Sequence, residues 1–140
     1  DLRPMALDDL GLVPTLQKYI QTCEERIRAS IDLVVFGVEP PLRSSVKAAI
    51  FRLVQECLNN VEKHAEASSV QVKLEFLQES LSLVVKDDGV GFDLEKRMAN
   101  GNSFGLLGMQ ERVQLLEGNV DLQSAPGEGT KVIFQIPLKI

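Results

Sequence analysis

The chain has 140 residues, 44 % of them hydrophobic and 25 % charged, with a formal net charge of −5. That length fits one ordinary domain, and the composition predicts a packed core rather than disorder. The acidic balance, with a pI near 4.9, excludes a broad footprint on nucleic acid or an anionic membrane, so any affinity for phosphate must be local.

Cys23 and Cys57 stand far apart. Neither lies in a C-x-x-C or Cys/His cluster, so zinc is not indicated and both read as reduced thiols in a cytoplasmic protein. No apolar run is long enough to span a bilayer, and no signal peptide is visible. The chain opens on Asp1 rather than Met, which reads as a piece of a longer protein.

In chain order, residues 12–28 read as a helix, with Leu12, Leu16, Tyr19, Ile20, Cys23 and Ile27 on one face and Pro14 in the first turn. Ile31 to Phe36 reads as a short strand ended by Gly37, and Pro40-Pro41 breaks the chain. A second helix is predicted from about Ser44 to His64, with Val46, Ile50, Leu53, Val54, Cys57, Leu58 and Val61 as its buried stripe. Two strands follow near 69–77 and 81–88, the first alternating Val70, Val72, Leu74 and Phe76 with polar residues. Residues 89–104 form a polar, glycine-punctuated stretch. A helix is predicted from Gly105 to Glu117, stopped by Gly118 as a C-cap residue. Two last strands, near 119–124 and 130–138, flank the turn Pro126-Gly127-Glu128-Gly129. The elements interleave as an α/β pattern without a strict βαβ repeat.

Four clusters carry chemistry. On the second helix, Glu56, Asn60 and Lys63 point within ~60° of one another at ~100° per residue, with His64 next in line. A carboxylate, an amide oxygen and an ammonium on one ridge suit Mg²⁺ and a phosphate, although a solvated helix edge has the same composition. Asp87 ends a strand whose inward positions are Leu81, Leu83 and Val85, so alternation puts a carboxylate on the apolar face. It needs a hydrogen-bond donor there, and an adenine amino group is suitable. Gly89-Val90-Gly91 follows and leaves room for a ligand near the backbone, or forms a plain turn. The glycines are not followed directly by a helix, which argues against a Rossmann site.

Gly105-Leu106-Leu107-Gly108 starts a helix with two glycines, each costing about 1 kcal/mol of helix propensity. Bare N–H groups at such a start suit a phosphate, or the helix is an ordinary packing element with Leu106, Met109, Val113 and Leu116 in the core. The long segment through Asn100-Gly101-Asn102-Ser103 reads as a lid or a surface loop. In the fourth cluster, Gly127-x-Gly129-Thr130, Thr130 heads a strand whose Val132, Phe134, Ile136 and Leu138 share its face, and the glycines suit a hairpin turn.

In order, QECLNNVEKHA, DDGVGF, SFGLLGMQER and GEGTKV resemble the N, G1, G2 and G3 boxes of the histidine-kinase-type ATPase superfamily, which includes gyrase, Hsp90, MutL and the sensor kinases. The resemblance covers about residues 42–138. The ending LNNVEKHA and the opening DLRPMALDDLGLVPTLQKYI look most like DegS-type sensor kinases, of the class that pairs with NarL/LuxR-type response regulators. The implied fold is α/β, a Bergerat-type two-layer sandwich with a mixed β-sheet and helices on one face. Residues 1–30 would form the junction from missing phosphotransfer helices plus the first helix. Residues 31–140 would form the ATP-binding part, the two together making one globular domain.

The resemblance also implies roles. Asn60 would bind Mg²⁺, and Glu56 would act as a general base or a carboxylate near the metal. Lys63 and His64 would approach the phosphates. Asp87 would accept from the adenine amino group with Thr130 nearby, and Gly89, Val90, Gly91 and Phe92 would form the purine pocket. Gly105, Leu106, Leu107, Gly108 and Met109 would border the triphosphate beneath a lid. The single histidine, His64, belongs to the nucleotide pocket, so the phosphoacceptor histidine would sit on a separate dimerising domain. This chain should then bind ATP and Mg²⁺ as a cytoplasmic monomer without autophosphorylating, within a homodimeric parent, touching neither nucleic acid nor membrane. An anti-sigma serine kinase of the same superfamily and a non-enzymatic interaction module are the alternatives. The DLRP…DDLGL opening disfavours the first, and intact Asn60, Asp87 and glycines disfavour the second.

Overall fold

The computed structural model describes residues 9–99 and 106–138. Helix α1 spans Leu12–Ile27 and buries Leu12, Thr15, Leu16, Ile20 and Cys23. Its first N–H groups find a partner from outside the helix: the Glu39 carboxylate accepts from Leu12 and Val13, both at 2.9 Å. An acidic group there also complements the helix dipole. Tyr19 and Ile27 are only partly buried; the Tyr19 ring rests on Phe51, with centroids 5.1 Å apart.

Strand β1, Ser30–Phe36, leads to helix α2, Ser44–Asn60, which buries Ile50, Phe51, Leu53, Val54, Cys57 and Leu58. The predicted stripe is therefore the core face, with Val46 partly buried at its start. The regular helix is shorter than the pattern suggests. After Asn60 the chain widens into one turn of π-helix, Val61–Ala65, and Glu66 leaves it in the left-handed region at φ 50°. Lys63 and His64 sit on that wider turn, so the 100° wheel that aligned Lys63 with Glu56 and Asn60 does not extend to it.

Strands β2, Ser69–Phe76, and β3, Ser80–Asp87, form a hairpin with strict alternation of burial. The polar stretch that follows contains a short helix, α3, Leu94–Ala99. Its signal was in the sequence: Asp93 accepts the Lys96 N–H at 3.1 Å, a side-chain N-cap. Helix α4 spans Leu106–Leu115, and strands β4, Asn119–Ser124, and β5, Thr130–Pro137, close the domain. The left-handed residue after α4 is Glu117, at φ 61°, and not Gly118. Gly118 is required for a different reason: a Cβ there would lie 2.3 Å from the Gln135 carbonyl oxygen.

The five strands are ordered β1-β2-β3-β5-β4. β1 and β2 run parallel, joined by α2 as crossover, and the other neighbours are antiparallel. One face, carrying Val70, Val72, Leu74, Leu81, Leu83, Val85, Val132, Phe134 and Ile136, is buried together with the inner faces of α1, α2 and α4. Each such Leu or Val contributes about 1.5–3 kcal/mol by leaving water. On the other face Gln71, Lys86 and Gln135 are exposed. The result is the expected two-layer α/β sandwich, a mixed sheet with helices on one face.

Candidate functional site

β3 delivers Asp87 to the helix-facing side, as alternation requires, and only 6 % of its surface is exposed. Its Oδ1 accepts the Gly89 N–H at 2.8 Å. Burial pushes this carboxyl above its ordinary pKa, opposed by the N–H groups of Gly89 and Thr130. Thr130 is its partner across the β3–β5 ladder. Cys57 of α2 packs near enough that Asp87 and Glu56 add to the burial that raises its thiol pKa. Asp87 therefore lies between the sheet and α2, beside the apolar core.

The loop after Asp87 is pinned on both sides. The Val90 N–H donates to the Ala65 carbonyl at 2.7 Å, and the Val90 carbonyl accepts from Gly127 at 2.6 Å. The Phe92 N–H donates to Ser124 Oγ at 3.0 Å, and Ser124 Oγ in turn bonds Gly129 O and Thr130 Oγ1, both at 2.9 Å. Asp88 Oδ1 accepts from Ser68 and Ser69 at 2.8 and 2.9 Å. Those N–H groups, Ser69 first, hold the Asp88 carboxyl below its usual pKa.

This network changes the reading of the glycines. A Cβ on Gly89 would lie 2.1 Å from the Ala65 carbonyl oxygen, and one on Gly91 would lie 2.1 Å from that of Ala125. The space expected for a ligand at these two positions is filled by neighbouring backbone. Sequence reasoning missed Ser124 and Asp88, which hold the loop through contacts across 32 and about 20 residues.

The second set of residues gathers around the exit of α2. Glu56, Asn59 and Asn60 are half-buried, and Lys63 and His64 are exposed on the π turn. Burial lowers the His64 pKa, helped by the charges of Arg97 and Lys63. Arg97, unmarked in the sequence reading, comes from α3 and lies over the Phe92 ring at 5.6 Å. The π turn is tied to α1 by an ion pair, Arg26 Nε to Glu62 Oε2 at 2.9 Å.

At the start of α4, Leu106 and Met109 are buried while Leu107 and Gly108 face solvent. A Cβ on Gly108 would meet nothing within 4 Å among the described residues. Gly105 and residues 100–104 of the expected lid lie outside the described residues. Glu56, Gly108 and Met109 line one cleft of ≈ 500 Å³. Asp87 and Thr130 line a separate recess of ≈ 360 Å³ with Ser124, Glu128 and Gly129.

Among the described residues no group of three or more His, Cys, Asp or Glu side chains is placed to hold a metal ion. Asn60 and Glu56 offer an amide oxygen and a carboxylate, the hard donors that suit Mg²⁺.

Residues 45–140 match the family of histidine kinase-, DNA gyrase B- and HSP90-like ATPases. The chain belongs to that family, the class of protein its sandwich fold and ordered motifs define. Over 138 residues it is 46 % identical to the signal transduction histidine-protein kinase/phosphatase DegS of Brevibacillus brevis. Over 142 residues it is 44 % identical to DegS of Bacillus subtilis strain 168. Each alignment takes in 99 % of this chain but 35 % and 37 % of those relatives, so the chain spans about a third of their length. A solved histidine kinase domain from the Erythrobacter litoralis EL346 blue-light activated histidine kinase superposes with a TM-score of 0.75. It has 26 % identity, over 91 % of this chain and 61 % of that one.

Proposed function

We propose that this chain is the ATP-binding catalytic domain of a two-component sensor histidine kinase. It donates the γ-phosphate to a histidine on a separate dimerisation and phosphotransfer domain, from which a NarL/LuxR-type response regulator is charged. The observation that carries the reading is Asp87: a carboxylate kept at the edge of the core, beneath α2, by backbone N–H groups from two sides. A buried carboxylate is costly unless a donor meets it, and an adenine amino group supplies one.

In this reading Asn60, with Glu56 beside it, holds Mg²⁺ against the phosphates, and Lys63 and His64 face the phosphate tail. Gly105, Leu106, Leu107, Gly108 and Met109 border the same tail, with Gly108 offering open backbone. Val90 and Phe92 sit beside the base, and Gly89 and Gly91 set the loop that carries them. Mg²⁺, when bound, neutralises charge that develops during transfer. The remaining work of the chain's own residues is positioning. The sole histidine, His64, stands at the phosphate end and has no acceptor role. The domain works as a cytoplasmic monomer when alone, within a homodimeric parent.

Calorimetric titration with MgATP tests this directly. The wild-type chain is expected to bind, and Asp87→Asn to lose about 2–3 kcal/mol of affinity, some 30- to 150-fold, with its fold intact. Mixing with a validated histidine-bearing helical domain should then give acid-labile phosphate on that domain. Acid-stable phosphoserine on a partner, or no nucleotide binding by the folded chain, would overturn the assignment.

A further inference from the structure

The outer face of the sheet, away from the helices, carries a row of side chains that the nucleotide reading leaves unused. Across the strands it runs Asp32, Gln71, Lys86, Lys131 and Gln123, each paired in register with the next. Lys86 and Lys131 stand one position from Asp87 and Thr130, so alternation turns them outward where Asp87 turns inward. Asp32, Gln71, Lys86 and Gln123 are exposed, and Lys131 is half-buried. Lys86, Gln123 and Lys131 also line the recess of ≈ 360 Å³ at the strand ends.

Lys86 and Lys131 are direct cross-strand partners. Opposed residues hold their Cβ atoms about 4.5–5.5 Å apart, and like charges in that position destabilise a sheet. Acidic residues outnumber basic ones in this chain, 20 to 15, yet two ammoniums are set against each other here. Among the described residues neither has an ion-pair or hydrogen-bond partner. Two carboxylates border the same recess. Asp87 is turned inward and accepts the Gly89 N–H, and Glu128 is exposed on the β4–β5 turn, where it opposes an anion. On the flanks, Gln71 offers its amide, and Gln123 gives one amide hydrogen to Asp121 at 2.8 Å and keeps a second.

We propose that Lys86 and Lys131 form a binding site for a phosphate-class oxyanion on the outer face of the sheet, with Gln71 and Gln123 donating at its flanks. A dianion with several oxygens neutralises both ammoniums and accepts from the amides, whereas one carboxylate neutralises a single lysine. Inorganic phosphate and a phosphomonoester present the same group. The site lies across the sheet from the helix layer and apart from Lys63, His64 and Gly108, so it stands independently of the nucleotide reading.

Residue-resolved NMR tests the site, with the wild-type chain titrated by inorganic phosphate, by methyl phosphate and by sodium chloride at matched ionic strength. Saturable shifts at the Lys86, Gln123 and Lys131 amides are expected with phosphate and not with chloride, at a Kd on the order of 1 mM. Lys86→Gln/Lys131→Gln should weaken that Kd at least about tenfold, and Glu128→Gln should tighten it about two- to threefold. Binding of methyl phosphate as tight as that of phosphate, or tighter, makes a phosphomonoester the ligand; weaker or absent binding makes it the free ion. Thermal unfolding gives a second reading. Without phosphate and at low salt, Lys131→Gln should melt above wild type, because the like-charge contact is relieved. Added phosphate should raise the wild-type midpoint and leave the variant's unchanged. A response that does not saturate, equal effects of chloride and phosphate, shifts confined to residues 60–64 and 106–109, or an unchanged Kd in the double variant would overturn the site and leave the kinase reading in place.

Discussion

Gly89 and Gly108 stand in two motifs that look alike in sequence, and their surroundings are opposite. Gly89 is pressed against the Ala65 carbonyl, in a loop tied to the π turn on one side and to the β4–β5 turn on the other. A Cβ on Gly108, in the first turn of α4, would meet none of the described residues. The first glycine is required by the protein's own packing. The second costs helix stability and, among the described residues, meets no atom that would require it. Glycine in a nucleotide motif thus has two physical meanings. Only the surroundings tell a position that lets backbone meet backbone from one that leaves backbone open to a ligand.

That contrast can be broken or sharpened by substitution. Gly89→Ala should have the largest effect, because neither the π turn nor the loop can move without breaking the Val90–Ala65 hydrogen bond. A loss of about 1–3 kcal/mol or more is expected, read as a lower midpoint in urea unfolding. An alanine there with wild-type stability would show that the loop gives way easily.

Asp87 and Asp88 should behave oppositely with pH although they are adjacent. Burial raises the folded-state pKa of Asp87. Folding therefore favours its protonated form, and the associated stability is present below the ordinary carboxylate pKa and lost as pH rises through the raised value. Asp87→Asn should accordingly raise the melting temperature of the nucleotide-free chain near about pH 7, with the gain fading toward about pH 3. Hydrogen bonds from Ser69 and Ser68 depress the Asp88 pKa. Its stability is present above the ordinary value and lost as pH falls through the depressed one, so Asp88→Asn should lower the melting temperature at neutral pH and converge with wild type in acid. Calorimetric scans of the three proteins across this range decide the signs.

Gly108→Ala should stabilise the chain by about 0.5–1 kcal/mol, since helix propensity rises and no clash forms. If the open backbone is where phosphate approaches, MgATP affinity should fall in the same variant. A rise in stability with unchanged affinity would make Gly108 a neutral surface position. The smallest effect is expected from Arg26→Ala. Its ion pair with Glu62 is solvent-exposed, and such pairs contribute about 0.2–1 kcal/mol, decreasing with salt. Unfolding in low and high salt checks it.

Much of the fold was legible because its signals are local. Alternation along β2 and β3 named the residues that are buried, and the stripe of α2 named its core face. The same alternation puts Asp87 inward beside Leu83 and Val85. The end of α2 was misread because the change from α to π geometry leaves Lys63 and His64 looking like one more helical turn. α3 was missed although Asp93 marks its start, because a six-residue helix is too short to show a period. Gly118 does stand just past the end of α4, but the left-handed residue there is Glu117, and what requires glycine at 118 is a carbonyl on β5.

Residue order alone determined the spacing of the four motifs, the inward carboxylate and the family to which the chain belongs. These follow from periods of two and 3.6 residues and from residue chemistry. Tertiary structure decided which glycines are filled by neighbouring backbone, how Ser124 and Asp88 fasten the loop, and that Lys86 and Lys131 stand opposed on one face. Those facts depend on segments about 20 to 45 residues apart being brought into contact, and no local period along a chain records which distant atoms will meet.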